Sequence, residues 1–303
     1  MPNPAIPGTP KDRTGSAGIL RRATADINRR FAGLERDVLA LFRKIPVYQV
    51  NAELPGVLYG LTPAQLEALS IELQAALERW IANGRDPANM FWWSSYVEEA
   101  QQLGTAQAAA NLSSLSPAYA ASRALETIIY SQPYQTRLAM AQVQSYEYWT
   151  GLAAQQKSEL AQVIGRAVTD GKNPRSVVSE IQDRLGVTKS KALAYAQTDV
   201  TGTLRAARWA EADYTEQEMG LKIGMLWTSA LIPTTRQWHA SRNGRVYSTT
   251  EVKAFYGQGG NRYNCRCSQT ETLLDASGRP ILTDGLKKSM IKERESWQAA
   301  NPE

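Results

Sequence analysis

Histidine, cysteine and long apolar runs are scarce in this 303-residue chain, and each scarcity excludes a class of protein. No stretch of 18 apolar residues exists, so the sequence offers no membrane-spanning helix. The N-terminal MPNPAIPGTPKDRTGSAG has Pro, Gly and Ser where a secretory signal has a continuous apolar core, and it is expected to be an unprocessed flexible arm. The two cysteines, Cys265 and Cys267, are one residue apart. A bridge between them closes a tiny, strained loop, so a disulfide framework is excluded and free thiols, metal ligands or a redox couple remain. The single histidine, His239, rules out a metalloprotease His pair. Neither a P-loop nor a dinucleotide-binding glycine fingerprint is present.

The composition is that of a folded chain, 43% hydrophobic and 21% charged with 8 Trp and 13 Tyr. Its formal charge of +5 is unevenly spread. Residues 1–50 carry nine Lys/Arg against four Asp/Glu, and residues 222–267 carry seven against Glu251 alone. Both basic regions suit phosphate or an acidic protein surface.

Apolar residues from Ile19 through Ile27, Phe31, Leu34 and Val38 to Ile45 recur every three or four positions, the mark of an amphipathic helix limited by Pro46. Its polar face carries Arg21, Arg22, Arg29 and Arg30, candidates for contact with DNA or a partner. Thr62-Pro63-Ala64-Gln65 has the capping-box pattern that starts a helix, with Asn83-Gly84 ending it. Further helices are expected from Phe91 to Leu112, from Ser116-Pro117 toward Tyr130, and around Leu160 to Ala167 with Gly171 as the C-terminal cap. Another is expected after Asn173-Pro174, ended by Gly186, and a long one from Lys189 to about Asp213, capped by Thr188. Beyond Gly220 the run Ile223 to Trp227 reads as a strand, and Asn243-Gly244 as a turn. The chain is therefore α+β: a flexible arm at 1–16, a predominantly helical body at 17–186, a small α+β module at 187–275, and a solvated tail at 276–303 with a helix at 286–300.

One ordered set of residues spans that module. It comprises Thr198-Asp199 in a helix, then Trp227-Thr228, Thr235-Arg236…His239, Gly244, and finally Asn264-Cys265-Arg266-Cys267. In this order the residues resemble the Mu F-like head morphogenesis, or minor head protein, family of tailed phages and prophages. Family members often carry Glu where Asp199 stands, and an Asp where this chain has Ile232-Pro233-Thr234. The resemblance implies a low-copy, non-enzymatic protein of the phage head, assembled in the bacterial host. It further implies that portal and major capsid proteins are its partners, and that it acts in head morphogenesis, DNA packaging or genome delivery. No membrane or small-molecule substrate is implied; packaged double-stranded DNA is a further candidate partner.

His239, Cys265 and Cys267 invite a zinc site, but a tetrahedral structural site needs four ligands, and the fourth would be Asp199, Glu251 or water. The alternative is that both cysteines pack as small apolar residues on a short strand while His239 hydrogen-bonds locally to fix the loop. A nucleophile–base pair of Cys and His, oriented by Asn264, lacks any accompanying motif. Arg242, Arg245 and Arg262, with Arg236, Arg266, Trp238, Tyr247, Tyr256 and Tyr263, mix cations with aromatic surface. That mixture serves DNA contact or docking on an acidic protein equally well.

Overall fold

The apolar stripe after the N-terminal segment produces helix α1, Ala17–Arg43, which ends before Pro46 as the spacing predicts. A computed structural model describes residues 3–9, 12–51, 54–83 and 90–302. Gly84 of the expected Asn83-Gly84 stop lies outside them, as do residues 1, 2, 10 and 11 of the N-terminal arm. Strands β1 (Val47–Asn51) and β2 (Leu54–Tyr59) form an antiparallel hairpin that the sequence pattern does not announce. Helix α2 (Pro63–Leu77) opens with the full Thr62–Gln65 capping box and passes into a π-helical turn, Glu78–Ala82. Helices α3 (Ser94–Leu115), α4 (Pro117–Ser122), α5 (Leu125–Ile129), α6 (Gln132–Asp170) and α7 (Pro174–Met219) follow. Strand β3 (Ile223–Thr228), the short α8 (Gln237–Ala240), β4 (Val246–Tyr247), α9 (Thr249–Gly257), β5 (Ser268–Leu273) and α10 (Asp284–Ala300) complete the chain. The class is α+β, a mainly helical chain with two small sheets. Among the described residues no helix is long and apolar enough to cross a membrane.

Helix α7 corrects the expectation of two helices meeting at Gly186. It runs 46 residues through that glycine, and Thr188 donates its hydroxyl to the Arg184 carbonyl one turn back (3.2 Å) instead of capping a new helix. An interior glycine costs only about 1 kcal/mol. The buried stripe of Val177, Ile181, Leu185 and Ala192 continues in register on both sides of it and outweighs that cost.

The fold divides the chain into two interleaved units. One comprises Arg22–Ser94 and Gln142–Leu193. Its core holds Ile27, Phe31, Leu34 and Val38 of α1 with Leu160 and Val163 of α6. Trp149 lies 4.7 Å from Trp92 and 5.1 Å from Trp93 between ring centroids. Arg30 is buried there, its guanidinium 4.0 Å from the Trp92 ring and donating to the Trp80 carbonyl at 3.1 Å, with Asp26 as counter-charge. Its assignment as a surface contact is therefore corrected: both its charge and its donors are used inside the fold. Arg29 pairs with Asp26, while Arg21 and Arg22 are exposed.

The other unit comprises Met1–Arg21, Ser95–Ala141 and Ala194–Glu303. It contains the sheet β4-β3-β5, antiparallel throughout, with Met225 opposite Tyr247 and Trp227 opposite Gln269. The segments expected as a flexible arm and a solvated tail both have buried contacts here. Thr14 and Ser16 are buried, Gln107 donates to the Thr14 carbonyl (2.9 Å), and Arg13 pairs with Glu293. Met290 and Trp297 of α10 are buried, and Trp297 Nε1 donates to the Ile232 carbonyl at 3.1 Å. The amphipathic spacing of Met290 and Trp297 within a charged helix is too short a stripe to distinguish docking from exposure.

Helices α3 and α7 touch at Gly104. A Cβ there would lie 2.2 Å from the Leu204 carbonyl oxygen and 3.0 Å from the Ala207 Cβ. Because the nearer atom is helix backbone, the helices must separate to admit a side chain. Gly104→Ala is expected to lower stability by about 1 to 3 kcal/mol. Urea unfolding followed by circular dichroism measures this, and an unchanged midpoint would disprove the close approach.

Candidate functional site

Helix α7 presents Thr198, Thr201, Arg205 and Arg208 at spacings of three, four and three, hence on one face. This face binds the segment 264–271 residue after residue. The Asn264 N–H donates to Thr198 Oγ1 (2.8 Å), and Thr201 Oγ1 donates to the Cys265 carbonyl (3.0 Å). Arg205 donates to the carbonyls of Cys265 (3.4 Å) and Cys267 (3.3 Å). Arg208 grips Glu271 through two nitrogens at 3.0 and 2.5 Å, and both side chains are fully buried. Asn111 of α3 completes the Glu271 carboxylate at 2.9 Å, and Gln107 accepts from Arg208 at 3.0 Å.

Further family-motif residues serve the same architecture. Arg236, at the N-terminal cap of α8, donates to the carbonyls of Asn261 (3.4 Å) and Tyr263 (2.8 Å), and Thr235 Oγ1 accepts from the Ile232 N–H (3.0 Å). Gly244 has φ +77°, and a Cβ on it would lie 2.8 Å from Met290 of α10. The preceding Asn243 accepts from the Ser229 N–H (2.8 Å) and donates to the Met290 carbonyl (3.0 Å). Trp227 is fully buried and stacks on Tyr256 at 5.4 Å with an interplanar angle of 6°.

His239, Cys265 and Cys267 are brought together. His239 Nδ1 lies 3.5 Å from Cys265 Sγ and 3.8 Å from Cys267 Sγ, and the three ligand atoms all fall within 4.8 Å of one another. All three residues are buried. The cysteines occupy an extended loop directly before β5, not the strand itself. Phe255 fixes the imidazole by edge contact at 4.9 Å, while Nε2 is buried with no hydrogen-bond partner among the described residues. Cys265 Sγ also receives the Cys267 N–H and faces the Tyr256 hydroxyl, each at 3.5 Å.

The two thiols differ electrostatically. A hydrogen bond from the Cys267 thiol, aided by His239 and by the Arg205 guanidinium, holds Cys265 well below the usual thiol range despite its burial. The same shared proton, together with burial, pushes Cys267 well above it. Burial foremost, with the neighbouring Cys265 sulfur, raises Tyr256 well above the phenol range.

A cavity of about 100 Å³ adjoins the triad and is lined by Thr235, Arg236, Asn264 and Arg266 besides His239 and the cysteines. Neither carboxylate considered as fourth ligand joins the group among the described residues. Glu251 instead caps α9, accepting from the Ser248 N–H at 2.7 Å. Asn264 enters through its backbone, at φ +51° with its N–H on Thr198, and not as an amide orienting a catalytic His.

The basic residues divide. Arg242 is half-buried, its guanidinium 4.1 Å from the Phe255 ring and 4.7 Å from Tyr247. Arg245, Arg262 and Arg266 are exposed, as are Trp238 (54%) and Tyr263 (51%). Sequence reasoning missed Thr201, Arg205, Arg208, Asn111 and Glu271. The helical spacing of Thr201, Arg205 and Arg208 from Thr198 was the available signal, whereas Asn111 and Glu271, on α3 and β5, carried none.

Removing one partner of the Arg208–Glu271 pair leaves a buried charge uncompensated. Glu271→Ala is expected to cost about 3 to 5 kcal/mol, and the paired apolar change Arg208→Met with Glu271→Leu to recover most of that loss. Denaturant unfolding of the parent and both variants decides the matter; a single variant as stable as the parent would refute the assignment.

Residues 158–270 match the family described as Phage Mu protein F like protein. The match begins inside α6 and includes every residue of the ordered set from Thr198 to Cys267. The chain is also 25% identical over 146 residues to an uncharacterized protein of Haemophilus influenzae, an alignment covering 47% of this chain and 32% of that protein. The chain thus spans well under half the length of that curated relative. No solved structure matches it. The segment 158–270, which carries α7, most of the three-stranded sheet and the buried His–Cys triad, is thus the part of the chain that is similar to the Phage Mu protein F like family.

Proposed function

We propose that this chain is a minor head protein of a tailed phage or prophage. It is present in few copies in the virion and docks to portal and major capsid proteins during head morphogenesis. The observation that carries this reading is the family match over 158–270, in which the shared residues serve architecture. Thr198, Thr235, Arg236 and Gly244 are committed to internal bonds or close packing, and Trp227 is core. Residues so committed support a structural reading of the motif over an enzymatic one. Purified portal and major capsid proteins of the same phage are expected to retain this chain in pull-down. Failure to co-assemble with either would remove the proposal.

A second reading, sequence-independent binding of packaged DNA, is favoured by the exposed Arg245, Arg262 and Arg266 and the exposed rings of Trp238 and Tyr263, with the Arg262 guanidinium 5.1 Å from the Tyr263 ring. Arginines on phosphate release counterions and make affinity fall steeply with salt. Replacing the three arginines by Ala is expected to weaken DNA retention and to reduce the salt slope by about one for each phosphate no longer neutralised. Retention that ignores salt, or survives the triple change, counts against this reading.

A further inference from the structure

We propose that His239 Nδ1, Cys265 Sγ and Cys267 Sγ bind one zinc ion, with the fourth coordination position open to the adjoining cavity. Four observations converge. The first is metric: Zn–S bonds of about 2.3 Å and Zn–N bonds of about 2.05 Å at a tetrahedral angle place sulfur and nitrogen about 3.6 Å apart. The nitrogen–sulfur separations here are 3.5 and 3.8 Å, and all three ligand atoms lie within 4.8 Å of one another, so they can surround one ion.

The second concerns which nitrogen is engaged. A histidine that merely fixes a loop hydrogen-bonds through its ring nitrogens to backbone or polar side chains. His239 Nδ1 faces two sulfurs, which are poor hydrogen-bond partners and good zinc ligands. The ring is held by Phe255 and Trp227, so its direction toward the sulfurs is imposed by packing.

The third is preorganisation. Thr201 and Arg205 hold the carbonyls of both cysteine residues, which fixes the loop whether or not an ion is present. The Arg205 guanidinium adds positive charge beside sulfurs that must be thiolates to coordinate.

The fourth is the remaining vertex. Three protein ligands leave one tetrahedral position, and the neighbouring space is a polar cavity of about 100 Å³ lined by Thr235, Arg236, Asn264 and Arg266. That is ample for water or a small anion. No carboxylate joins the triad among the described residues, and an ion held by all three ligands would clamp α8 to the loop before β5.

The full chain, purified without chelator, is expected to contain one zinc ion by elemental analysis, or to take up one on titration. Cobalt(II) in its place should give thiolate-to-cobalt charge-transfer absorption and the intense d–d bands of tetrahedral coordination. Azide should shift those bands if the fourth position is open. Cys267→Ser and His239→Gln should each lose the metal while keeping the far-ultraviolet circular dichroism of the parent. Because either change falls in the core, the cobalt spectrum of the unaltered chain stands as the independent measurement. A folded chain that neither retains zinc nor develops a cobalt–thiolate band overturns the site, as does zinc that persists unchanged in the Cys265→Ser, Cys267→Ser double variant. Bands indifferent to azide overturn the open position. None of these outcomes bears on portal docking, which is read separately.

Discussion

The polar face of α7 determines where the segment 264–271 lies. Thr198, Thr201, Arg205 and Arg208 bind successive groups of 264–271, so one rigid helix sets the path of the loop and of β5 together. The strand so held is polar from Ser268 to Thr272 yet buried. Hydrophobic burial therefore cannot be what places it, since a polar strand gains little by leaving water. Specific bonds place it: Glu271 to Arg208 and Asn111, Gln269 to Tyr256, and the ladder to β3. A buried ion pair is weak evidence of stability, because desolvating both charges roughly cancels their attraction. What it supplies here is registry. A β5 displaced by one residue would bury Glu271 without Arg208, at a cost of several kcal/mol.

From that registry the triad follows. Strand β5 in its bonded register leaves Cys265 and Cys267 just before it, with their carbonyls on Thr201 and Arg205. On the other side, β3 carries the chain to Ser229, whose hydroxyl donates to the His239 carbonyl at 2.6 Å and seats α8. Trp227 couples the two halves of the site: it pairs with Gln269 across the sheet, and its ring contacts Tyr256, Phe255 and His239. The imidazole and the sulfurs thus meet because two elements adjacent to β3 are each pinned by separate polar bonds.

What is legible in the sequence divides along the same line. Periodic apolar spacing locates α1, the capping box locates the start of α2, and Gly171, at φ +59°, closes α6 where the pattern places a C-terminal cap. The lone histidine and the cysteine pair are visible as a group, and they do converge. The expected break at Gly186 fails because a local propensity of about 1 kcal/mol does not outrank a stripe continuing past it. Strand β5 is invisible because SQTETL has neither apolar alternation nor an apolar run; its burial depends on Arg208 and Asn111, which lie 63 and 160 residues away in sequence. Such partners have no local signature.

Charge shows the same division between sequence and fold. The seven basic residues of 222–267 form one positive region in the sequence, but in the folded chain they do different jobs. Arg236 is spent on loop carbonyls and Arg242 on aromatic rings, while Lys253 pairs with Asp213. Lys222, Arg245, Arg262 and Arg266 face water, as does the paired Lys253, and Trp238 and Tyr263 are exposed beside the loop that Arg236 holds. In the other unit, Arg30 is likewise turned inward onto Trp92. A general polybasic attraction is long-ranged and easily screened, whereas a few arginines among exposed rings on a fixed loop act at contact distance. The fold has accordingly divided the arginines of this segment: Arg236 and Arg242 hold its own loop and rings, and Arg245, Arg262 and Arg266 are left exposed.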